Sequence, residues 1–289
     1  MFDALDVIRR RISVRTYDGM PVSDAVKAEL RSLFGKRRQG PFGNTARFHL
    51  LDPDSSGEGE DSQRLGTYGI IRGARLYIAG AVKEGRRCLE DFGYLMERII
   101  LEVTAMDLGT CWLAGTFRRK NFAARMGLLP GEMLPAVTPV GLPAQKLSLA
   151  DRLMRYGAGS RRRKPWDELF FAGDDQTPLV EREAGRYRQP LEAVRLGPSA
   201  SNRQPWRIII DRAGGCHFYL KEDMPYNRLL GKIRLQNIDI GIAMCHFELV
   251  ARQHGITGRW TEENPPAAIP DLEHIASWIP DEKAGRRQL

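Results

Sequence analysis

An α+β fold built from two related halves is what this sequence predicts, and three observations carry that expectation. The stretch Leu89 to Asp107 sets Phe92, Leu95, Met96, Ile99, Ile100, Val103 and Met106 in a broad apolar stripe at helical spacing, the pattern of a buried helix. Short apolar runs bounded by polar turns, among them Phe48–Leu51, Leu76–Val82 and Ile208–Ile210, read as strands. Finally, features recur in the same order at a constant offset. Asp91-Phe92-Gly93 returns as Asp239-Ile240-Gly241, Met96 as Met244, and Trp112 as Trp260. Gly40-Pro41-Phe42-Gly43-Asn44 is a worn echo of Gly197-Pro198-Ser199-Ala200-Ser201-Asn202, and each is followed by a strand-like run. Two copies, one over residues 1–175 and a shorter one over 176–289, account for the series. Chance similarity between two glycine-containing helices is the competing explanation.

The remaining elements follow in order. Phe2 to Arg10 reads as a short helix with Phe2, Leu5, Val7 and Ile8 mostly on one side. Val22 to Phe34 reads as a second, with Ser23 and Asp24 supplying capping chemistry at its start. The polar loop Asp52–Gly59 follows the first strand. Gly109, just past the long helix, fits a left-handed cap. Pro135–Val140 is strand-like but interrupted by Pro139, and 151–164 is a polar, arginine-rich connection. The segment beyond about Asn264 receives no assignment.

Composition excludes several classes. With 289 residues, 42% hydrophobic and 28% charged, the chain can bury a sizeable core and does not read as disordered. No apolar run approaches the roughly 20 residues that cross a bilayer, and Met1–Ile8 lacks the pattern of a secretory signal, so a cytoplasmic protein with no membrane partner is expected. The net charge of +8 suits either nucleic acid or a small phosphorylated anion. No base-reading helix or nucleic-acid module accompanies it, so no nucleic-acid partner is expected. Cys88, Cys111, Cys216 and Cys245 form no CxxC pair and the five histidines are scattered, so no metal is expected and the thiols fit a reducing compartment. Cys111 has no neighbouring histidine to activate it. There is no Ser-His-Asp constellation or phosphate-binding loop, and Gly57-Glu58-Gly59 opens no helix.

Four segments carry chemistry. In Arg10-Arg11-Ile12-Ser13-Val14-Arg15-Thr16-Tyr17, extended backbone would send Arg11, Ser13 and Arg15 to one face, giving two guanidiniums and a hydroxyl for an anion. A solvated basic stretch after a helix would read the same way. Arg161 and Arg163 repeat the alternation before Pro165-Trp166, where a basic linker is the plain alternative. Gly197-Pro198-Ser199-Ala200-Ser201-Asn202-Arg203-Gln204-Pro205-Trp206 is the most specific signal: small side chains let backbone approach an aromatic ring, and Ser199 and Asn202 offer hydrogen bonds. Leu108 to Phe117 contains Ala114-Gly115-Thr116 after a tryptophan, which reads equally as a helix cap followed by a buried indole.

Together these segments resemble the FMN-dependent nitroreductase family, in the form of a tandem-duplicated pseudo-dimer. The resemblance implies mostly antiparallel sheets with long central helices, two halves in one chain mimicking a homodimer, and a chain that can stand as a monomer. It implies one flavin site, with Arg11, Ser13, Arg15, Gly115, Thr116, Arg161 and Arg163 from the first half and Pro198, Ser199, Ala200 and Asn202 from the second. The mirror site, with Phe42 and Gly43 in place of the serine-rich turn, is expected to be empty. The family's polar residue after the first strand is sought in Tyr68–Arg72. The implied activity is hydride transfer from NADH or NADPH through FMN to a small-molecule acceptor, a nitroaromatic, quinone or similar compound. No side chain is expected to act catalytically, because the cofactor carries the chemistry. The alternative is a flavin-binding or cofactor-free scaffold or sensor without turnover.

Overall fold

The computed structural model describes residues 2–36, 39–52, 65–145, 162–222, 233–263 and 268–281. Arg161 and the loop 53–59 lie outside the described residues. The chain divides into two compact units, one spanning Arg10–Ala158 and the other joining Asp3–Arg9 to Gly159–Leu289. The first helix, α1 (Ala4–Arg10), therefore belongs almost entirely with the later part of the chain.

In the 10–158 unit, α2 (Asp24–Lys36) precedes β1 (Ala46–Leu51) and β2 (Tyr77–Lys83), then α3 (Cys88–Ala105), β3 (Gly109–Thr110), α4 (Arg119–Met126), β4 (Glu132–Met133) and β5 (Val137–Gly141). The sheet runs β1-β2-β5-β3, with β4 also on β2, and every pairing is antiparallel. Pro139 is tolerated in an inner strand because β5 changes partner there: it pairs with β2 through Pro139 and with β3 from Val140. The apolar stripe of α3 is buried on nearly every side, as its composition demands. The left-handed residue ending α3 is Asp107, with φ 59°, and not Gly109. Gly109 instead opens β3, where a Cβ would stand 2.8 Å from the side chain of Val14.

In the other unit come β6 (Phe170–Ala172), α5 (Arg188–Leu196), β7 (Trp206–Ile210), β8 (Cys216–Lys221), α6 (Leu235–Gln253), β9 (Gly258–Thr261) and β10 (Leu272–Pro280). Its sheet runs β6-β7-β8-β10-β9; β6 lies parallel to β7 and the other pairings are antiparallel. The architecture is thus α+β, with one antiparallel and one mixed sheet. The segment left unassigned by the sequence supplies β10, an inner strand. Trp206, Ile208, Phe218 and Trp278 line one sheet face, and Phe218 and Trp278 stack edge-on against Phe247 of α6 at 5.4 and 5.9 Å between centroids. The Ala4 amide of α1 donates to Gln253 Oε1 at 2.8 Å, tying α1 to the end of α6.

Among the described residues no helix is long and apolar enough to cross a membrane. No group of three His, Cys, Asp or Glu is disposed to hold a metal there either, and the four cysteines are buried and form no disulfide. Gly80 tests the packing of the first unit: a Cβ there would lie 2.6 Å from Phe48 and 2.7 Å from Phe92 ring atoms, both in the core. Gly80→Ala is expected to cost about 1–3 kcal/mol of unfolding free energy in urea, the usual penalty for overpacking; an unchanged midpoint would show that the two rings yield freely.

Candidate functional site

The turn between α5 and β7 is the most strained stretch among the described residues. Ser201, Asn202 and Gln204 have φ of 48°, 55° and 50°, so three of four consecutive non-glycine residues take the left-handed conformation. Such backbone costs energy that surrounding contacts must offset. Those contacts are present. The carboxyl group of Asp239, on α6, accepts the Ala200 amide at 3.0 and 3.2 Å. Ser199 Oγ accepts the Gln204 amide at 2.9 Å. Gln204 is buried; its Oε1 accepts the Lys164 amide at 2.8 Å and its Nε2 donates to the Asn202 carbonyl at 3.2 Å.

The basic segment before β6 belongs to this network. Arg163 donates from Nη2 to the Leu196 carbonyl at 3.0 Å and from Nη1 to Asn202 Oδ1 at 3.3 Å. Asn202 Nδ2 returns a bond to the Arg162 carbonyl at 2.8 Å. Arg163, Pro198, Ser199, Ala200 and Asn202 are thus brought into one constellation, in which Arg163 fixes the turn. Gln204, which the sequence reading left without a role, is its internal brace. A glutamine just before Pro-Trp was visible in the sequence, but not that its backbone would be left-handed.

In the 10–158 unit the arginine-bearing segment is threaded between two others. Ser13 bridges Thr110, the Val14 amide donates to the Thr110 carbonyl at 2.8 Å, and the Arg72 amide donates to the Arg15 carbonyl at 2.8 Å. Within Tyr68–Arg72, it is the Arg72 backbone that meets the arginine segment. Arg11 is buried, with Nε 3.9 Å from Glu97 Oε1, and Glu97 Oε2 accepts the Trp112 indole N–H at 2.6 Å. Gly115 and Thr116 lie in the bend between β3 and α4. A residue not singled out before, Arg119, braces that bend: its guanidinium donates to the carbonyls of Ala114, Leu134 and Pro135 and sits 4.6 Å over Phe117.

The two units share a device. Asp91, on α3, accepts the Phe42 amide at 2.9 Å and the Asn44 amide at 2.8 Å, holding the Gly40–Asn44 turn as Asp239 holds the serine-rich one. Trp260 donates to Glu248 Oε2 at 2.7 Å, as Trp112 does to Glu97. Glu248 takes its cation from Arg252 on the same helix, at 2.7 Å, whereas Glu97 faces Arg11.

Burial raises both turn-holding carboxyls above the ordinary aspartate value, Asp91 to about 6 and Asp239 to about 8, against the lowering effect of the amides that they accept. With the folded-state value raised, the native protein keeps a proton that the unfolded chain has released, so stability falls as pH rises through that window. Between about pH 6 and about pH 8 Asp239 still contributes to this decline after Asp91 has titrated. Denaturation midpoints across that range are expected to fall less steeply in Asp239→Asn than in the parent chain. Parallel curves would show that Asp239 is already ionised at the lower pH.

The chain matches the family model described as "Putative TM nitroreductase" over residues 3–251. A crystal structure of a putative nitroreductase from Thermotoga maritima MSB8 is similar in fold, with 19% identity, a TM-score of 0.59, and coverage of 96% of this chain and 94% of that one. An FMN-dependent nitroreductase from Clostridium difficile R20291 aligns at 14% identity and a TM-score of 0.39, covering 49% of this chain and 88% of its own. A variant of an FMN and NADPH-dependent nitroreductase from Sphigopyxis sp. strain HMH aligns at 14% identity and a TM-score of 0.38, covering 50% of this chain and 90% of its own. No curated protein matches the chain. The family match runs through both turn-holding aspartates and most of both units, and on that ground the chain belongs to the putative TM nitroreductase family.

Proposed function

We propose that this protein is an FMN-dependent oxidoreductase that takes its electrons from NADH or NADPH and delivers them to a nitroaromatic, quinone or similar small acceptor. The observation that carries the reading is the serine-rich turn, where three left-handed non-glycine residues are held by a buried carboxyl group and a network of amides. Strain of this kind collects at ligand sites, where it fixes backbone that a ligand must approach closely. Membership of the nitroreductase family supports the choice of flavin as that ligand.

The donor set fits the group. Pro198, Ser199, Ala200 and Asn202 offer a low, polar surface for a ring and its ribityl chain, and Gly115 and Thr116 offer a second backbone approach. Arg11, Ser13 and Arg15 offer charge-assisted bonds to a phosphate, and Arg161 is retained in the same role. Nε of the Arg11 guanidinium is buried and makes no hydrogen bond among the described residues, so it has capacity beyond its ion pair with Glu97. Arg163 acts through the turn by fixing Asn202. Bound FMN supplies the hydride-accepting and hydride-donating chemistry; the residues named here bind and orient it, and none serves as acid or base. The paired Asp91 and Asp239 turns and the paired Trp–Glu bonds support descent of 1–175 and 176–289 from one duplicated unit, a chain able to act as a monomer in the cytoplasm.

Purified protein is expected to show flavin absorbance that bleaches on addition of NADH or NADPH and returns with a quinone. Protein that stays colourless after incubation with FMN would end the proposal. Titration should saturate at one FMN per chain, because the serine-rich turn occurs once. Arg11→Ala is expected to weaken FMN binding by about 1.5–3 kcal/mol, the scale of a hydrogen bond to a charged group. Unchanged affinity would assign Arg11 to Glu97 alone.

A further inference from the structure

The sheet of the later unit has a second face. Strand alternation puts Arg207, Tyr219, Lys221, Leu272 and Phe171 on the side away from Trp206, Ile208 and Phe218, which pack towards α6. A cavity of about 420 Å³ opens on this side, within the range of small-molecule sites. Phe171, Pro270 and Leu272 give it apolar walls.

Arg207 also lines it, and is only 7% exposed. Its Nη1 donates to the Trp206 carbonyl at 2.6 Å and the Gln204 carbonyl at 3.2 Å, which fixes the guanidinium. Nε and Nη2 make no hydrogen bond among the described residues. Those two groups form one edge of the guanidinium plane, the edge that takes a carboxylate through two parallel bonds. A nearly buried cation with an uncommitted edge is costly unless a partner arrives. Burial lowers the affinity of Arg207 for its proton, and Glu168 acts in the opposite direction.

The same cavity is lined by Lys221 but also by Asp175 and Asp271, so its formal charges balance. That balance favours a single negative charge placed on Arg207 and opposes a dianionic phosphate. We infer that this cavity is a binding site for a small organic monocarboxylate with an aromatic or branched apolar body, the carboxylate on Arg207 and the body against Phe171, Pro270 and Leu272. None of these residues is proposed to touch the flavin, although Arg207 meets the serine-rich turn through the Gln204 carbonyl; the inference goes beyond the flavin reading and is tested apart from it.

Calorimetric titration of the full chain with phenylacetate tests it, with phenylacetamide and inorganic phosphate as controls and the flavin spectrum recorded throughout. Binding of one equivalent is expected, with both controls at least about tenfold weaker and no change in any flavin band. Arg207→Met and Leu272→Trp, the second filling the cavity while leaving Arg207 in place, should each abolish binding. If Arg207→Met does not fold, the Leu272→Trp result decides. Equal binding of the amide, tighter binding of phosphate, a perturbed flavin band, no binding, or binding that survives Leu272→Trp would each overturn the assignment.

Discussion

A carboxylic acid buried on a long helix, gripping the backbone of the turn that leads into a strand, is the constraint on which each unit is organised. Asp91 and Asp239 are both buried near the starts of their helices. A buried acid is tolerable only when its oxygens are used. Here they take amides of the turns at 40–44 and 197–205, so the helix and the strand after the turn are held in register by a few short bonds. The raised proton affinity of both groups is the other side of that arrangement, because the helix interior that makes the bonds strong also disfavours the charge. A second polar pair, indole to glutamate, is made within each unit. Glu97 and Glu248 do not occupy equivalent positions relative to their tryptophans, since Glu248 stands about one helical turn nearer in sequence to Trp260. The interaction has been kept while its residue has moved.

Much of this was legible from residue order alone. The helical stripe around Phe92 and Ile100, the strands entered at Phe48 and Trp206, and the recurrence of Asp91 at Asp239 all rest on local periodicity or on direct comparison, and the structure contains each of those elements. The mild failures have physical causes. Gly109 looked like a helix cap because glycine takes the left-handed region without strain, yet Asp107 takes it here and Gly109 is needed for its lack of a side chain next to Val14. Leu272–Pro280 gave no clear alternation, since as an inner strand it carries buried residues on both faces, and a bulge between His274 and Ala276 breaks its period.

The candidate site was legible as composition and not as geometry. Small residues and an asparagine before Pro-Trp announced a special turn, but left-handed backbone at Ser201, Asn202 and Gln204 follows from long-range bonds to Asp239, Lys164 and Arg162 that no local reading supplies. Arg119 and Arg207 were passed over for the same reason. An arginine on a short helix or in a strand resembles any surface arginine until the carbonyls that receive it are brought together by folding. Arg11 shows the opposite lesson: a residue chosen for its charge also serves a buried glutamate, so one side chain carries a structural duty beside the proposed one.

The placing of β10 bears on how the protein is made. In its sheet β9 has no strand neighbour except β10, and β10 also separates β9 from β8, although it is the last of these strands to be synthesised. On the ribosome, therefore, β9 emerges with nowhere to pair, and α1, made first, must wait for α6. The 10–158 unit can close while translation continues, whereas its companion completes its sheet only after β10 has left the exit tunnel, an interval in which an unpaired edge is open to chaperones and to self-association.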